Sequence, residues 1–227
     1  MDRSHYFDNA ATTPIDPRVL DAMRPWLEED WANADSIHSA GLKARAAVEE
    51  ARLAVMELIG AEDPHQIVFT SGATESANAV IASVAEGWFS PFEHAAVREP
   101  ALARGWKMVP NEAYQVSQPE GFGALMAVNN ETGAIFPPCE GLIDATQALG
   151  KLPFSVGEAR YAIGSAHKIY GPKGVGFVYC EDGELPAWTR GGEQEGGRRA
   201  GTLNVAGIVG LGAAAALAID GLDGAPI

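Results

Sequence analysis

Short apolar runs alternate with amphipathic stretches along most of the chain. Five apolar runs have the length of β-strands and fall at residues 67–70, 125–128, 142–144, 161–164 and 174–179. Apolar residues recur at helical spacing in residues 42–60 and again from 74 to about 85. Strands separated by helices predict an α/β domain with a largely parallel sheet.

The ends of several elements carry recognisable signals. Asp16 followed by Pro17 predicts a helix start, and Gly60 predicts the end of the second helical stretch. The longest run of aliphatic residues and glycine, Val205–Ile219, has 15 residues. We predict a buried helix there and no membrane partner, because so short a run does not cross a bilayer.

Charge and composition narrow the classes of function. The chain has 227 residues and a formal net charge of −14, which disfavours binding to the phosphate backbone of nucleic acids. The composition, 47% hydrophobic and 20% charged, is typical of a folded globular protein. Two cysteines are too few for a disulfide scaffold, and no signal peptide is visible. We expect a cytoplasmic protein.

The segment 67–75 joins a strand to a helix through a turn of small residues. Ser71, Gly72 and Thr74 leave room for an anion beside the backbone N–H groups at the positive end of the helix. This arrangement favours a phosphate site, although an ordinary strand–helix turn has the same pattern.

Lysine is scarce, with five in the chain, and Lys168 follows the predicted strand at 161–164. A lysine at the end of a core strand is partly desolvated, which lowers its pKa and makes a neutral amine available for a Schiff base. A surface lysine with a buried stem is the other interpretation.

Asp144 ends another apolar run and is followed by Gln147. A carboxylate at the carboxyl end of a strand usually faces the ligand crevice of an open α/β sheet. It could there keep a pyridine nitrogen protonated, or it could instead cap the segment that follows.

Together these segments resemble one family, the pyridoxal-phosphate-dependent cysteine desulfurases of the class V aminotransferase group. Eight matching segments occur in family order, at residues 7–14, 33–38, 67–78, 93–97, 128–133, 144–147, 165–176 and 199–204. The resemblance implies the large domain of the aspartate-aminotransferase-like fold, a mostly parallel mixed sheet with flanking helices. We expect an N-terminal arm (1–15), a pyridoxal-phosphate-binding large domain (16–219) and a frayed tail (220–227), with the small domain largely absent.

The resemblance also implies roles for individual residues. Lys168 would be the Schiff-base lysine and proton shuttle, Asp144 would pair with the pyridine nitrogen, and His94 would stack on the ring and assist proton transfer. The remaining implied cofactor contacts are Asn130 and Gln147 near the phenolic oxygen and substrate, and Ser71 or Gly72, Thr74, Ser165 and His167 at the phosphate. Thr202 matches a residue that reaches the phosphate of the other subunit, which implies a homodimer with shared sites.

Two features depart from the family pattern. The chain stops at Ile227, before the family's sulfur-accepting cysteine and substrate-binding arginine, and neither Cys139 nor Cys180 aligns with that cysteine. We therefore expect a desulfurase-like enzyme acting on L-cysteine or a related amino acid, with a sulfur acceptor or complementing protein as a partner. The alternative is a non-catalytic or partner-dependent subunit that keeps the fold and the cofactor site.

The second departure is a short connection between two strands. Only residues 129–141 join the predicted strand at 125–128 to that at 142–144, and Pro137-Pro138 leaves little room for a crossover helix. We expect one face of the sheet to be partly uncovered.

Overall fold

A computed structural model describes residues 5–224 of the chain. Within that range the α-helices are α1 (Pro17–Glu28), α2 (Ser39–Ile59), α3 (Ala73–Ser83), α4 (Ala95–Ala103) and α5 (Val205–Gly224). The strands are β1 (Ile67–Thr70), β2 (Trp88–Phe89), β3 (Lys107–Met108), β4 (Asn111–Glu112), β5 (Gln115–Val116), β6 (Gly123–Met126), β7 (Leu142–Asp144), β8 (Tyr161–Ser165) and β9 (Gly176–Cys180).

Seven strands form one sheet in the order β1-β9-β8-β7-β6-β2-β3. Strand β9 runs antiparallel to both of its neighbours, while the other neighbouring pairs are parallel. Strands β4 and β5 form a separate antiparallel hairpin. The predicted α/β domain with a largely parallel sheet is confirmed, and its parallel strands bring their carboxyl ends to one edge.

Strands β6 and β9 are displaced from their predicted positions, and β9 spans Gly176–Cys180 rather than 174–179. Strand β6 begins at Gly123 rather than 125, because that residue pairs with Trp88 so closely that a Cβ would lie 2.1 Å from the indole. Val128, predicted as its last residue, instead forms an isolated bridge to Ile135. Strands β2 to β5 were not predicted, since two residues are too few to show a period.

Helices cover both faces of the sheet. On one face, α1, α2 and α5 enclose a core that includes Val48, Phe177 and Leu211. Glycine lets α5 approach α2 closely, because a Cβ on Gly212 would lie 2.6 Å from the Cα of Ala51. Helices α3 and α4 cover the other face.

Helix α5 is longer than predicted. It continues past Ile219 to Gly224, so the segment expected to fray from Asp220 begins as helix, and residues 225–227 lie outside the described range. With the added turn, the 18-residue stretch Val205–Leu222 would suffice by length and composition to cross a membrane, unlike the 15-residue apolar run Val205–Ile219. Its packing shows a core helix nonetheless, because Ile208, Leu211 and Ala215 are all buried.

The connection between β6 and β7 contains no helix, as its length predicted. It does not leave the sheet uncovered, however. Phe136 and Cys139 from this connection are buried in a cluster with Leu125 and Ile143 of the two strands. An irregular loop therefore replaces the missing helix, and the expected exposed apolar face is not found there.

Candidate active site

Two adjoining cavities lie at the carboxyl edge of the sheet. The first, of about 530 Å³, is lined by eight of the predicted site residues, namely Thr74, His94, Asn130, Asp144, Gln147, Ser165, His167 and Lys168. The second, of about 480 Å³, is lined by Ser71 and Gly72 and shares Thr74, Ser165 and His167 with the first. The structure thus brings ten predicted residues together, and only Thr202 is outside both cavities.

The turn after β1 forms a cradle at the start of α3. Ser165 Oγ accepts a hydrogen bond of 2.8 Å from Ala73 N, which ties the turn to the end of β8. Gly72 has a φ of +151°, which side chains rarely allow. A Cβ on Gly176 would lie 2.6 Å from the Cα of Gly72, so position 176 also requires glycine. The N–H groups of Ser71, Gly72 and Ala73 already donate to Glu75 Oε2, Thr70 Oγ1 and Ser165 Oγ. The N–H groups of Thr74 and Glu75 in the first turn of α3 are the ones left for an anion.

Lys168 lies on a single 3₁₀ turn, Ala166–Lys168, that follows β8 directly. Its Nζ donates to the carbonyl oxygens of Ala10 and, at 2.8 Å, Ala11. Burial lowers the pKa of this half-buried amine, while the nearby carboxylates of Asp144 and Asp8 act in the opposite direction. The prediction of a partly desolvated lysine at the end of a core strand is confirmed.

The N-terminal segment forms one wall of the site, which sequence reasoning did not predict. Thr13 N donates to His167 O at 2.9 Å, and Thr12 Oγ1 lies 3.1 Å from His167 Nδ1. The Ala10 carbonyl also accepts from Gln147 Nε2 at 2.8 Å. The small residues at 10–13 are the available signal, since only small side chains allow the backbone to approach this closely.

Asp144 is the last residue of β7 and is almost wholly buried. Burial raises the pKa of its carboxyl, and the opposing influences are hydrogen bonds from Thr146 and the charges of His94 and Lys168. Thr146 N donates to Asp144 Oδ1 at 3.0 Å, so the carboxylate caps a turn and faces the cavity at the same time. The interpretation as a cap is confirmed for the turn that follows, and the pairing of Asp144 with a pyridine nitrogen stays a prediction.

His94 and Asn130 reach the cavity from the ends of neighbouring elements. His94 is the N-cap of α4, where its Nδ1 accepts from Ala96 N at 3.1 Å. Asn130 follows Asn129, whose Oδ1 accepts from Glu131 N at 3.1 Å and Thr132 N at 2.9 Å. Asn129 is thus the residue that shapes the turn, and it leaves Asn130 beside the cavity.

Thr202 is exposed and lies on a segment anchored near the cradle. Arg199, three residues earlier, pairs with Glu75 in the first turn of α3 at 3.0 Å. The contact of Thr202 with a second subunit stays a prediction.

Both cysteines are buried away from the two cavities. Burial is the main cause that raises the pKa of Cys139 to about 11 and that of Cys180 to about 12. Neither thiol is therefore a ready thiolate at neutral pH. Within residues 5–224, no group of three or more acidic, histidine or cysteine side chains could hold a metal ion.

The parallel sheet with one reversed strand, together with a lysine, a carboxylate and an anion cradle at its edge, is the arrangement of a pyridoxal-phosphate fold. A comparison with protein families matches residues 5–103 and 116–223 to the family described as Aminotransferase class-V. The chain belongs to this class-V aminotransferase family, whose members depend on pyridoxal 5'-phosphate.

The relatives within that family are cysteine desulfurases. The cysteine desulfurase of Sinorhizobium fredii (strain NGR234) is 42% identical over 258 residues, covering 97% of this chain and 67% of the relative. A solved structure titled "NIFS-LIKE PROTEIN" has a TM-score of 0.89 and 36% identity, over 96% of this chain and 70% of that one. Another, titled "SspA in complex with cysteine", has a TM-score of 0.83 and 33% identity, over 92% and 72%.

The chain spans about two thirds of the length of the curated relatives it matches, from 62% to 67% in those compared.

Proposed function

We propose that this chain is the cofactor-binding part of a cysteine desulfurase-like enzyme that holds pyridoxal 5'-phosphate through Lys168 and acts on L-cysteine. The observation that carries the proposal is the convergence of Lys168, Asp144 and the cradle at Ser71–Thr74 on adjoining cavities. Three unrelated segments of chain supply an amine, a buried carboxylate and an anion site, which are the three groups that this cofactor requires.

The residues present fit the cofactor. The cradle is lined by Glu75, whose carboxylate is paired with Arg199 at 3.0 Å, and by Gly72, Thr74, His167 and Lys173. These groups suit a phosphate, since helix N–H groups and a lysine favour negative charge. Asp144 suits a protonated ring nitrogen, because a buried carboxylate gains most from an adjacent positive charge.

When bound, the cofactor would withdraw electrons from the α-carbon of an amino acid. In the proposed site Lys168 would hold the aldehyde and move the α-proton, since a neutral amine is the form able to accept one. Asp144 would keep the ring nitrogen protonated. His94 would lie against the ring, while Asn130 and Gln147 would orient the substrate.

The choice of L-cysteine is supported by the names of the relatives and by the cysteine complex of SspA. Because Cys139 and Cys180 are buried outside the cavities, sulfur would leave the substrate for a thiol from outside the described residues. We further propose a homodimer in which Thr202 reaches the partner's phosphate site, and the exposure of Thr202 supports this.

The test combines L-cysteine with protein that has been loaded with pyridoxal phosphate, and quantifies alanine and sulfide in the presence of an added small thiol. We expect equal or near-equal yields of alanine and sulfide, and neither product with Lys168→Ala. Loaded protein that releases no alanine with any thiol would contradict the activity.

A non-catalytic or partner-dependent subunit is the second candidate, and the burial of both thiols favours it. Such a subunit would show the cofactor's visible absorbance but form alanine only after a complementing protein is added.

A further inference from the structure

Glu93 is a buried acid that the proposed reaction does not use. It immediately precedes His94, but its side chain points inward and is only 3% exposed. Oε1 accepts a hydrogen bond of 2.8 Å from Met126 N. Oε2 is buried without a hydrogen-bond partner among the described residues. An acid so poorly hydrogen-bonded in the interior is costly to keep charged.

The carboxyl of Glu93 lies close to the proposed cofactor site. Met126, which donates to it, is the last residue of β6 and pairs with Asp144 at the end of β7. The carboxyl of Glu93, from the loop before α4, therefore lies at the end of β6, next to the end of β7 where Asp144 lies. Each residue is almost wholly buried. A negative charge on one of these carboxyls disfavours ionisation of the other.

The surroundings decide which of the two acids keeps the negative charge. Asp144 receives the N–H of Thr146, and its electrostatic interactions with His94 and Lys168 favour its ionised form. Met126 N and the side chain of Ser90 favour the ionised form of Glu93, but these influences are outweighed. Two further acidic groups, Asp144 and the thiol of Cys139, lie nearby. Burial first, and then the charge of Asp144, raise the pKa of Glu93 to about 8.

We propose that Glu93 is a proton-carrying positioning residue whose neutral carboxyl leaves the negative charge of the pair on Asp144. The inference rests on the proposed function in one respect, which is that Asp144 is the group facing the ring nitrogen. With Glu93 neutral, the negative charge of Asp144 would be available to pair with the ring nitrogen.

The first test needs no cofactor. Glu93→Gln keeps the shape of the side chain and an oxygen for Met126 N, but it cannot ionise. Folded wild type binds the Glu93 proton up to about pH 8, whereas the unfolded chain releases it near 4.5. Stability of wild type thus falls across this window relative to the variant. We expect the Tm of Glu93→Gln minus that of wild type to increase from pH 5 to pH 8.

The control is Glu86→Gln, which removes one acid at an exposed position, so its Tm difference measures the effect of losing a carboxyl as such. A Tm difference for Glu93→Gln that varies with pH no more than that of the control would overturn the proposal. Repeating the comparison in an Asp144→Asn background tests the pairing itself. Loss of the neighbouring charge is expected to move the end of the pH-dependent window below pH 8, and an unchanged window would refute the pairing.

Addition of pyridoxal phosphate separates this inference from the proposed function. We expect wild type and Glu93→Gln to develop the same visible absorbance at pH 7. A visible band in both proteins with no pH-dependent Tm difference would overturn the role of Glu93 alone. Absence of the band in both, with the pH-dependent difference present, would overturn the proposed function and support the proton on Glu93.

Discussion

A buried ion pair ties the segment that carries Thr202 to the large core. Arg52 on α2 donates to both carboxylate oxygens of Glu195, at 3.0 and 2.8 Å, and to Ile67 O at 2.8 Å. Phe69 N donates to the same carboxylate at 2.7 Å. The side chains of Arg52 and Glu195 are 8% and 1% exposed, so each charge is stabilised by the other and not by water.

We expect Arg52→Ala to lower the free energy of unfolding by about 3–5 kcal/mol, because it leaves the Glu195 carboxylate buried with one remaining N–H donor. Burial alone would lower the pKa of Arg52, but the hydrogen bonds and charge of Glu195 more than offset this and raise it, so the guanidinium is charged throughout the usual pH range. Urea unfolding followed by circular dichroism measures the loss.

Two further variants separate the ion pair from simple packing. Arg52→Met combined with Glu195→Gln removes both charges together, and we expect it to recover most of the loss. Glu49, the second ion-pair partner of Arg52, has a side chain that is 50% exposed. Glu49→Gln should therefore lower the free energy of unfolding by about 1 kcal/mol or less. A loss below about 1 kcal/mol for Arg52→Ala would refute the explanation by buried charge.

Three other outcomes are expected. Burial would raise the pKa of Glu75, but its hydrogen bonds, that from Arg199 foremost, lower the pKa to about 2. The stability that Glu75 contributes is therefore present above about pH 4.5 and is lost as the pH falls toward 2. Arg199→Ala should shift that loss to higher pH in thermal scans. Gly176→Ala should weaken pyridoxal-phosphate binding measured by absorbance titration, because the added Cβ would meet Gly164 O at 2.4 Å and the backbone of the cradle. Cys139 and Cys180 should react with a thiol reagent only after unfolding, because both are buried, and fast labelling of the folded protein would contradict this.

Much of the sheet and its site could be predicted from sequence, and the reason is local. Asp144 stands at the end of a short apolar run, and the strand ends there because the following Ala145 and Thr146 turn away under the cap of its carboxylate. Lys168 likewise follows its strand after a single turn. The hydrophobic pattern therefore predicts the position of residues that lie directly at the end of a strand.

Residues placed by contacts between distant segments were not predicted. The carbonyls of Ala10 and Ala11 meet Lys168 across more than 150 positions of chain, and backbone atoms leave no signal of their own. Glu93 resembles any acid before a helix until Met126 N and Asp144 are seen beside it. The length of α5 was underestimated because Asp220 ended the apolar run, although the helix continues through it with that side of the turn toward solvent.

The central claim is that pyridoxal phosphate binds covalently to the amine of Lys168. The direct measurement is to mix the purified protein with pyridoxal phosphate, reduce with borohydride, digest and map the modified lysine by mass spectrometry. We expect one stoichiometric modification on Lys168, lost in Lys168→Ala with the visible absorbance. Modification spread over Lys43, Lys107 and the other lysines, or undiminished in Lys168→Ala, would contradict the claim.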